Sequence, residues 1–241
     1  MQNYFVGELL GTMTLVLLGC GVVANVLLKK CKGEGSGWIC ITAGWAFAVI
    51  FGVFVAQAAG SAQADLNPAV TISKYYLHVY TSFIQVIIQI IAQLIGAFVG
   101  AIIVWLAYLP HWKETTDKGC KLGVFATSPA IVDVRSNFLC EAIGTFVLVL
   151  GVGALVTNAT VAGGLTPYFV GILVWSIGLS LGGPTGYAIN PARDFGPRLA
   201  HAILPISGKG GSAWSYAWIP IVGPVVGGLF GAVVWSCVFM R

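Results

Sequence analysis

Glu8 heads an uncharged run that lasts to Leu28, Glu141 heads another that lasts to Ala192, and Arg193 and Asp194 close the second one directly after Asn190-Pro191-Ala192. A carboxylate or guanidinium next to so much apolar sequence is costly and needs either a partner or a task. The chemistry open to Arg193 is recognition: five N–H donors in a rigid fork and a permanent charge can hold oxygen acceptors and oppose cations. Two carboxylates could in principle serve acid–base catalysis. The matched surroundings of Glu8 and Glu141, described below, argue against a catalytic pair. His78, His111 and His201 are scattered without metal-ligand spacing, and the six cysteines show no C-x-x-C. No G-x-x-x-x-G-K-[ST] or G-x-S-x-G occurs, so nothing points to nucleotide-driven transport or hydrolysis. No catalytic residue, metal or cofactor is expected.

The elements that must position these groups follow from composition. The 241 residues are 58% hydrophobic and only 8% charged, with mean hydropathy +0.91. Charge is too scarce to cover a soluble globule of this size, which argues for a polytopic membrane protein. Uncharged stretches run from Leu9 to Leu28, Trp38 to Ala64, Tyr75 to Pro110, Ala142 to Ala192 and Gly210 to Met240. A helical span needs roughly 20 apolar residues, so the run of 51 from Ala142 must hold two, divided by a turn at 159–167. Six spans result, near 4–28, 38–58, 81–109, 134–157, 166–182 and 214–239. The start lacks a basic n-region and a small-residue cleavage pattern, so the first span reads as retained. The net charge of +4 comes without a basic stripe; the lysine groups Lys29, Lys30, Lys32 and Lys113, Lys118, Lys121 read as solvated loops, and no nucleic-acid partner is expected.

The chain repeats itself. Glu8-x-x-Gly11-Thr12 with Leu15-Val16-Leu17 recurs as Glu141-x-x-Gly144-Thr145 with Leu148-Val149-Leu150, at an offset of 133 residues. Asn67-Pro68-Ala69 recurs as Asn190-Pro191-Ala192, at an offset of 123. Each half holds three spans, and because three is odd the halves must be inverted about an axis in the membrane plane. This predicts one transmembrane domain over 1–241, with repeats of about 1–110 and 134–241 joined by a loop at 110–133.

Asn is a strong N-cap, and Pro at the next position has the right φ and no N–H to orphan. Each Asn-Pro-Ala therefore starts a helix with room for about three turns before the next span or Pro205, too short to cross a bilayer of roughly 30 Å. Half-helices survive at membrane depth only where protein or a water-filled path satisfies their ends. Two of them would bring positive N-terminal ends together at its centre and leave both Asn amides free to donate into the path.

Glu8-x-x-Gly-Thr, Asp65-Leu-Asn-Pro-Ala-Val-Thr71, Ala92-Gln-x-x-Gly-Ala97, Glu141-x-x-Gly-Thr and Gly186-Tyr-Ala-Ile-Asn-Pro-Ala-Arg-Asp-Phe-Gly-Pro197 together resemble the major intrinsic protein family of aquaporins and glycerol facilitators, over essentially the whole chain. The resemblance implies an all-α membrane protein of six tilted transmembrane helices plus two half-helices, assembled as homotetramers in the cell membrane with a pore in each protomer. Gly223, Gly227 and Gly231 fit such close packing. It also implies that Glu8 and Glu141 brace the half-helix loops, and that both termini are cytoplasmic. The latter puts the six loop lysines outside and only Lys74 and Arg241 inside, against the positive-inside rule.

By family spacing, the narrowest ring is formed by Phe47, Gly178, Tyr187 and Arg193. Gly178 leaves space where water-selective members typically place His, and Phe47 and Tyr187 would pack a carbon backbone opposite the Arg donors. Trp45 is expected to face another side of its helix. Tyr108, Asp194, Arg198, Pro220 and Ile221 resemble the set that marks glycerol-conducting members, and Asp194 can also pair with Arg198 four residues on. Asp65 departs from the His usual two residues before the first Asn, placing an acid at the mouth of the first half-pore. The expectation is a passive aquaglyceroporin conducting glycerol, related small uncharged polyols and water. The rivals are a water-selective aquaporin and an alternating-access carrier.

Overall fold

The computed structural model describes residues 3–158, 164–238 and 240. Among them are ten helices and no strand: α1 (Tyr4–Leu27), α2 (Trp38–Ala58), α3 (Pro68–Tyr76), α4 (Phe83–Ala107), α5 (Leu109–Glu114), α6 (Lys118–Phe125), α7 (Val134–Thr157), α8 (Thr166–Leu181), α9 (Pro191–Ile203) and α10 (Ile219–Val238). Caps set several starts. Asn3 accepts from Val6 N at 3.1 Å, Asp117 from Cys120 N at 2.9 Å and Asp133 from Ser136 N at 2.7 Å, each satisfying an N–H of a first turn. Five helices, α1, α2, α4, α7 and α10, are long and apolar enough to cross a membrane, and α8 is a shorter apolar helix of 16 residues.

The expected last span starts later than 214. Residues from Trp214 to Trp218 form turns closed by Tyr216 N to Ala213 O and Ala217 N to Trp214 O, and the helix begins at Ile219, with Pro220 in its first turn. The connection over 110–133 is not a plain loop. It folds into α5 and α6, with Trp112 donating to Trp105 O at 2.9 Å and stacking on Phe125 at 5.5 Å. The turn expected at 159–167 falls largely on 159–163, and Arg241 is also outside the described residues.

Small residues let the spans touch. α1 packs on α4 and α7 on α10 as the two most extensive pairings. A Cβ on Gly100 would come within 2.6 Å of Met13 O, one on Gly231 within 3.0 Å of Phe146 O, and one on Gly227 would run into the Ala142 backbone. Backbones this close gain dispersion contact where lipid offers no hydrophobic drive.

The surface is apolar, and charged groups lie inside an otherwise apolar core. Phe47, Phe51 and Phe54 on α2, Ile84 and Ile91 on α4, and Phe230 on α10 are exposed, whereas Glu8, Glu141, Asp194, Arg198 and His201 are fully buried. Lipid selects that distribution, because apolar side chains face it without cost and polar groups must find partners inside. The chain is a multi-pass membrane protein.

Candidate functional site

The short helices α3 and α9 start as their sequences dictate. Asn67 and Asn190 are extended, with Asn67 Oδ1 accepting from Ala69 N at 2.9 Å and Asn190 Oδ1 accepting from Ala192 N at 3.0 Å and Arg193 N at 3.2 Å. Pro68 and Pro191 occupy the first turns. Just before each Asn the backbone is strained in the same way. Ala64 and Leu66 have φ of 44° and 53°, and Tyr187 and Ile189, at the positions 123 residues on, have φ of 39° and 42°. Left-handed conformations cost non-glycine residues about 1–2 kcal/mol each, so something must hold them.

Glu8 and Glu141 do so. Glu8 accepts from Asp65 N at 3.0 Å and Leu66 N at 2.8 Å, and also from Ser61 Oγ and Gln93 Nε2; Glu141 accepts from Ala188 N at 2.9 Å and Ile189 N at 2.8 Å. Each carboxylate takes two successive backbone N–H groups that the strained loop would otherwise leave unpaired at membrane depth. Both side chains are sealed from solvent, and their oxygens are spent on the loops.

The two loops are also tied to each other. Asn67 Nδ2 donates to Ile189 O at 2.8 Å, and Asn190 Nδ2 donates to Leu66 O at 2.7 Å. The ties narrow the expectation that both amides are free to donate into a path, leaving one N–H of each for it. An amide NH2 has two donors, and here one of each pair is already used.

Around these asparagines lies a cavity of about 310 Å³. Leu15, Val49, Val53, Leu148 and Val174 are among its apolar lining residues, and Asn67, Asn190 and Arg193 supply polar groups. Arg193 belongs to the α9 side of the asparagines, and Lys74 lines the same cavity from α3.

The ring expected from spacing is only partly assembled. Arg193 lies with its guanidinium carbon 4.0 Å from the centre of the Trp45 ring, a cation–π contact, and its guanidinium makes no hydrogen bond to protein among the described residues. Tyr187 lines the cavity with them. Phe47 does not join them: it is 50% exposed on the outer face of α2, whereas Trp45 is 3% exposed. The reason is helical phase. Ile41, Trp45, Ala48, Gly52 and Ala56 are buried at steps of three or four residues, while Phe47, Phe51 and Phe54 keep the same spacing on the opposite, outward face. Gly178 stands beside Tyr187, and the space it leaves is taken by that ring: a Cβ there would come within 2.8 Å of Tyr187 Cζ. Trp38 adds an edge-on contact to Tyr187 at 5.7 Å and donates to Gly178 O at 3.0 Å, fixing ring and backbone together.

Asp194 and Arg198 form the pair that their spacing allows, with Arg198 Nε to Asp194 Oδ1 at 2.8 Å and Nη2 to Oδ2 at 3.0 Å. The pair reaches further than α9. Asp194 accepts from Thr127 N and Oγ1, and Arg198 donates to Thr127 O at 2.8 Å and Ser212 O at 2.8 Å. A chelated guanidinium with every side occupied is the geometry that offsets the cost of burial. Tyr108 caps α4 and donates to Gly21 O at 3.1 Å, and Pro220 and Ile221 open α10.

Asp65 is not a free acid at a mouth. Its side chain is sealed, accepting from Thr71 Oγ1 at 2.9 Å and Tyr80 OH at 2.7 Å and pairing with Lys74. Sequence reasoning missed Trp45, Lys74, Gln93 and Thr127. Trp45 was recoverable from the phase of the phenylalanine stripe. Thr127 was not, because its partners are 67 and 71 residues away.

A family model described as Major intrinsic protein matches residues 1–235. The chain is 56% identical over 239 residues to the probable glycerol uptake facilitator protein of Thermotoga maritima, covering 99% of this chain and 100% of that one. It is 51% identical over 235 residues to the glycerol uptake facilitator protein of Bacillus subtilis, covering 98% and 84%. The solved structure of the aquaglyceroporin from Plasmodium falciparum matches with a TM-score of 0.83 and 30% identity, covering 98% of this chain and 97% of that one, which bears out the expected fold. Motif, fold and match over almost the whole length agree: the chain belongs to the major intrinsic protein family.

Proposed function

We propose that the cavity is the lumen of a passive channel conducting glycerol, related small uncharged polyols and water, while excluding ions and protons. The observation that carries this reading is the mixed lining: the aliphatic Leu15, Val49, Val53, Leu148 and Val174 border one cavity together with Asn67, Asn190 and Arg193. A polyol presents hydroxyls along one edge and C–H groups along the other, so such a lumen matches it on both. Trp45, Gly178, Tyr187 and Arg193 form the filter in this reading. The two rings pack the carbon edge, and the unspent guanidinium donors hold the hydroxyls. Converging N-terminal ends of α3 and α9 add a positive field against cations. The names of the relatives, glycerol uptake facilitators, support glycerol over a water-selective pore.

The rest of the reading follows the family. The chain is one channel domain of two inverted repeats, about 1–110 and 134–241, it assembles as homotetramers in the cell membrane, and both termini are cytoplasmic. It is not an enzyme: no cofactor and no covalent chemistry take part.

The rival with another mechanism is an alternating-access carrier. Glycerol influx into vesicles holding the purified protein, followed by light scattering, separates them. Influx should rise in proportion to the glycerol gradient and ignore imposed sodium or proton gradients; saturation at millimolar glycerol or ion coupling would favour the carrier.

A further inference from the structure

Lys74 presents a charge to the cavity that the filter does not account for. Its ammonium is held by Gln63 O at 3.1 Å, by Gln63 Oε1 at 3.0 Å and by Asp65 Oδ1. The two members of the ion pair are not equally placed. Both residues border the cavity, but the Asp65 side chain is 0% exposed and the Lys74 side chain 9%. Thr71 Oγ1 and Tyr80 OH hold the carboxylate from behind. The pair is therefore a dipole with its negative end in protein and its positive end toward the lumen. The other half has no counterpart, since the residues 123 positions after Asp65 and Lys74 are Ala188 and Pro197.

We propose that Lys74, oriented by Asp65, is a second cation-excluding residue of the pore, acting in series with Arg193. The inference rests on the cavity being the conducting path. The two cations belong to opposite half-helices, Arg193 three residues after Asn190 and Lys74 seven after Asn67. Barriers in series hide one another: while Arg193 stands, it limits cation entry whatever Lys74 does. With Arg193 removed, the repulsion from Lys74 governs more of the flux. Asp65 is a positioning residue in this scheme, because its hydrogen bonds decide which way the pair points.

The test uses the full chain in vesicles, in an Arg193→Val background, with entry of a sodium tracer as the readout. Lys74→Met leaves an unpaired carboxylate and should raise sodium entry most, by roughly tenfold over the background. Asp65→Asn breaks the same clamp but leaves the ammonium, and should lower sodium entry below the background. The double variant Asp65→Asn/Lys74→Met has no buried charge to unfold it and should fall between Lys74→Met and the background. Equal sodium entry in all four proteins would overturn the proposal. So would an equal rise in Lys74→Met and Asp65→Asn, which would trace the leak to lost bracing rather than to charge. Glycerol entry is followed in parallel with the unsubstituted protein. Failure there would sink the pore reading and this inference with it, whereas glycerol entry without the sodium order would sink this inference alone.

Discussion

Asn67 and Asn190 are cross-tied: each side-chain amide donates to the carbonyl of the residue preceding the other, Ile189 at 2.8 Å and Leu66 at 2.7 Å. The carbonyls involved belong to the strained residues that Glu8 and Glu141 hold by their N–H groups. Strain, brace and cross-tie therefore form one unit, and the helix starts on either side of it are fixed relative to each other. The amide oxygens are spent on the caps, which also decides which way each NH2 points.

Removing one Asn should show the coupling. Asn190→Ala loses two capping contacts and the tie to Leu66 O, and should cost about 2–4 kcal/mol, the sum of a lost cap and an orphaned buried carbonyl. A thermal melt of the detergent-solubilised protein checks it. An unchanged midpoint would mean that the two loops hold their positions independently.

Trp45 and Phe47 make opposite predictions although they are two residues apart. Trp45→Ala removes the ring under Arg193 and should change the ratio of glycerol to water permeability several-fold, by widening the filter and loosening the guanidinium. Phe47→Ala trims an outward side chain and should leave that ratio as it was. The ratio in vesicle swelling is the measurement, and a larger effect at Phe47 would restore the assignment made from spacing.

Tyr187 carries a hydroxyl that is buried and has no hydrogen-bond partner among the described residues. An unsatisfied buried hydroxyl is a cost that phenylalanine avoids. Tyr187→Phe should therefore raise stability by about 1 kcal/mol while glycerol entry stays within twofold. A large drop in glycerol entry would show that the hydroxyl handles solute.

The Asp194 and Arg198 pair predicts a severe effect at a distance from the lumen. Arg198→Met leaves Asp194 buried with Thr127 as its remaining hydrogen-bond partner, and should cost about 3–5 kcal/mol, as breaking a buried pair does. Replacing both members by apolar residues should recover part of that loss. Thermal melts of the single and double variants, compared with the unsubstituted protein, decide it.

Much of this was readable from residue order. The spans followed from uncharged runs, the half-helices from Asn-Pro at a repeat offset, the Asp194 brace from i, i+4 spacing, and the role of Glu8 and Glu141 from the family resemblance. What escaped depended on direction and on distance. Phe47 was placed by spacing relative to a family pattern, although the outward phase of Phe47, Phe51 and Phe54 already assigned Trp45 to the inner face. The cross-tie of the asparagines joins residues 122 and 124 positions apart, and no local pattern carries it. Lys74 read only as a charge on the cytoplasmic side, because its partners Gln63 and Asp65 lie across a turn whose path only the fold reveals.

Glycerol entry into vesicles containing the unsubstituted protein, set against empty vesicles of the same lipid and followed alongside water, tests the central claim most directly. The cavity lined by Trp45, Tyr187, Arg193 and the two asparagines predicts that both solutes enter faster than in empty vesicles. Water entering faster while glycerol matches the empty vesicles would contradict it.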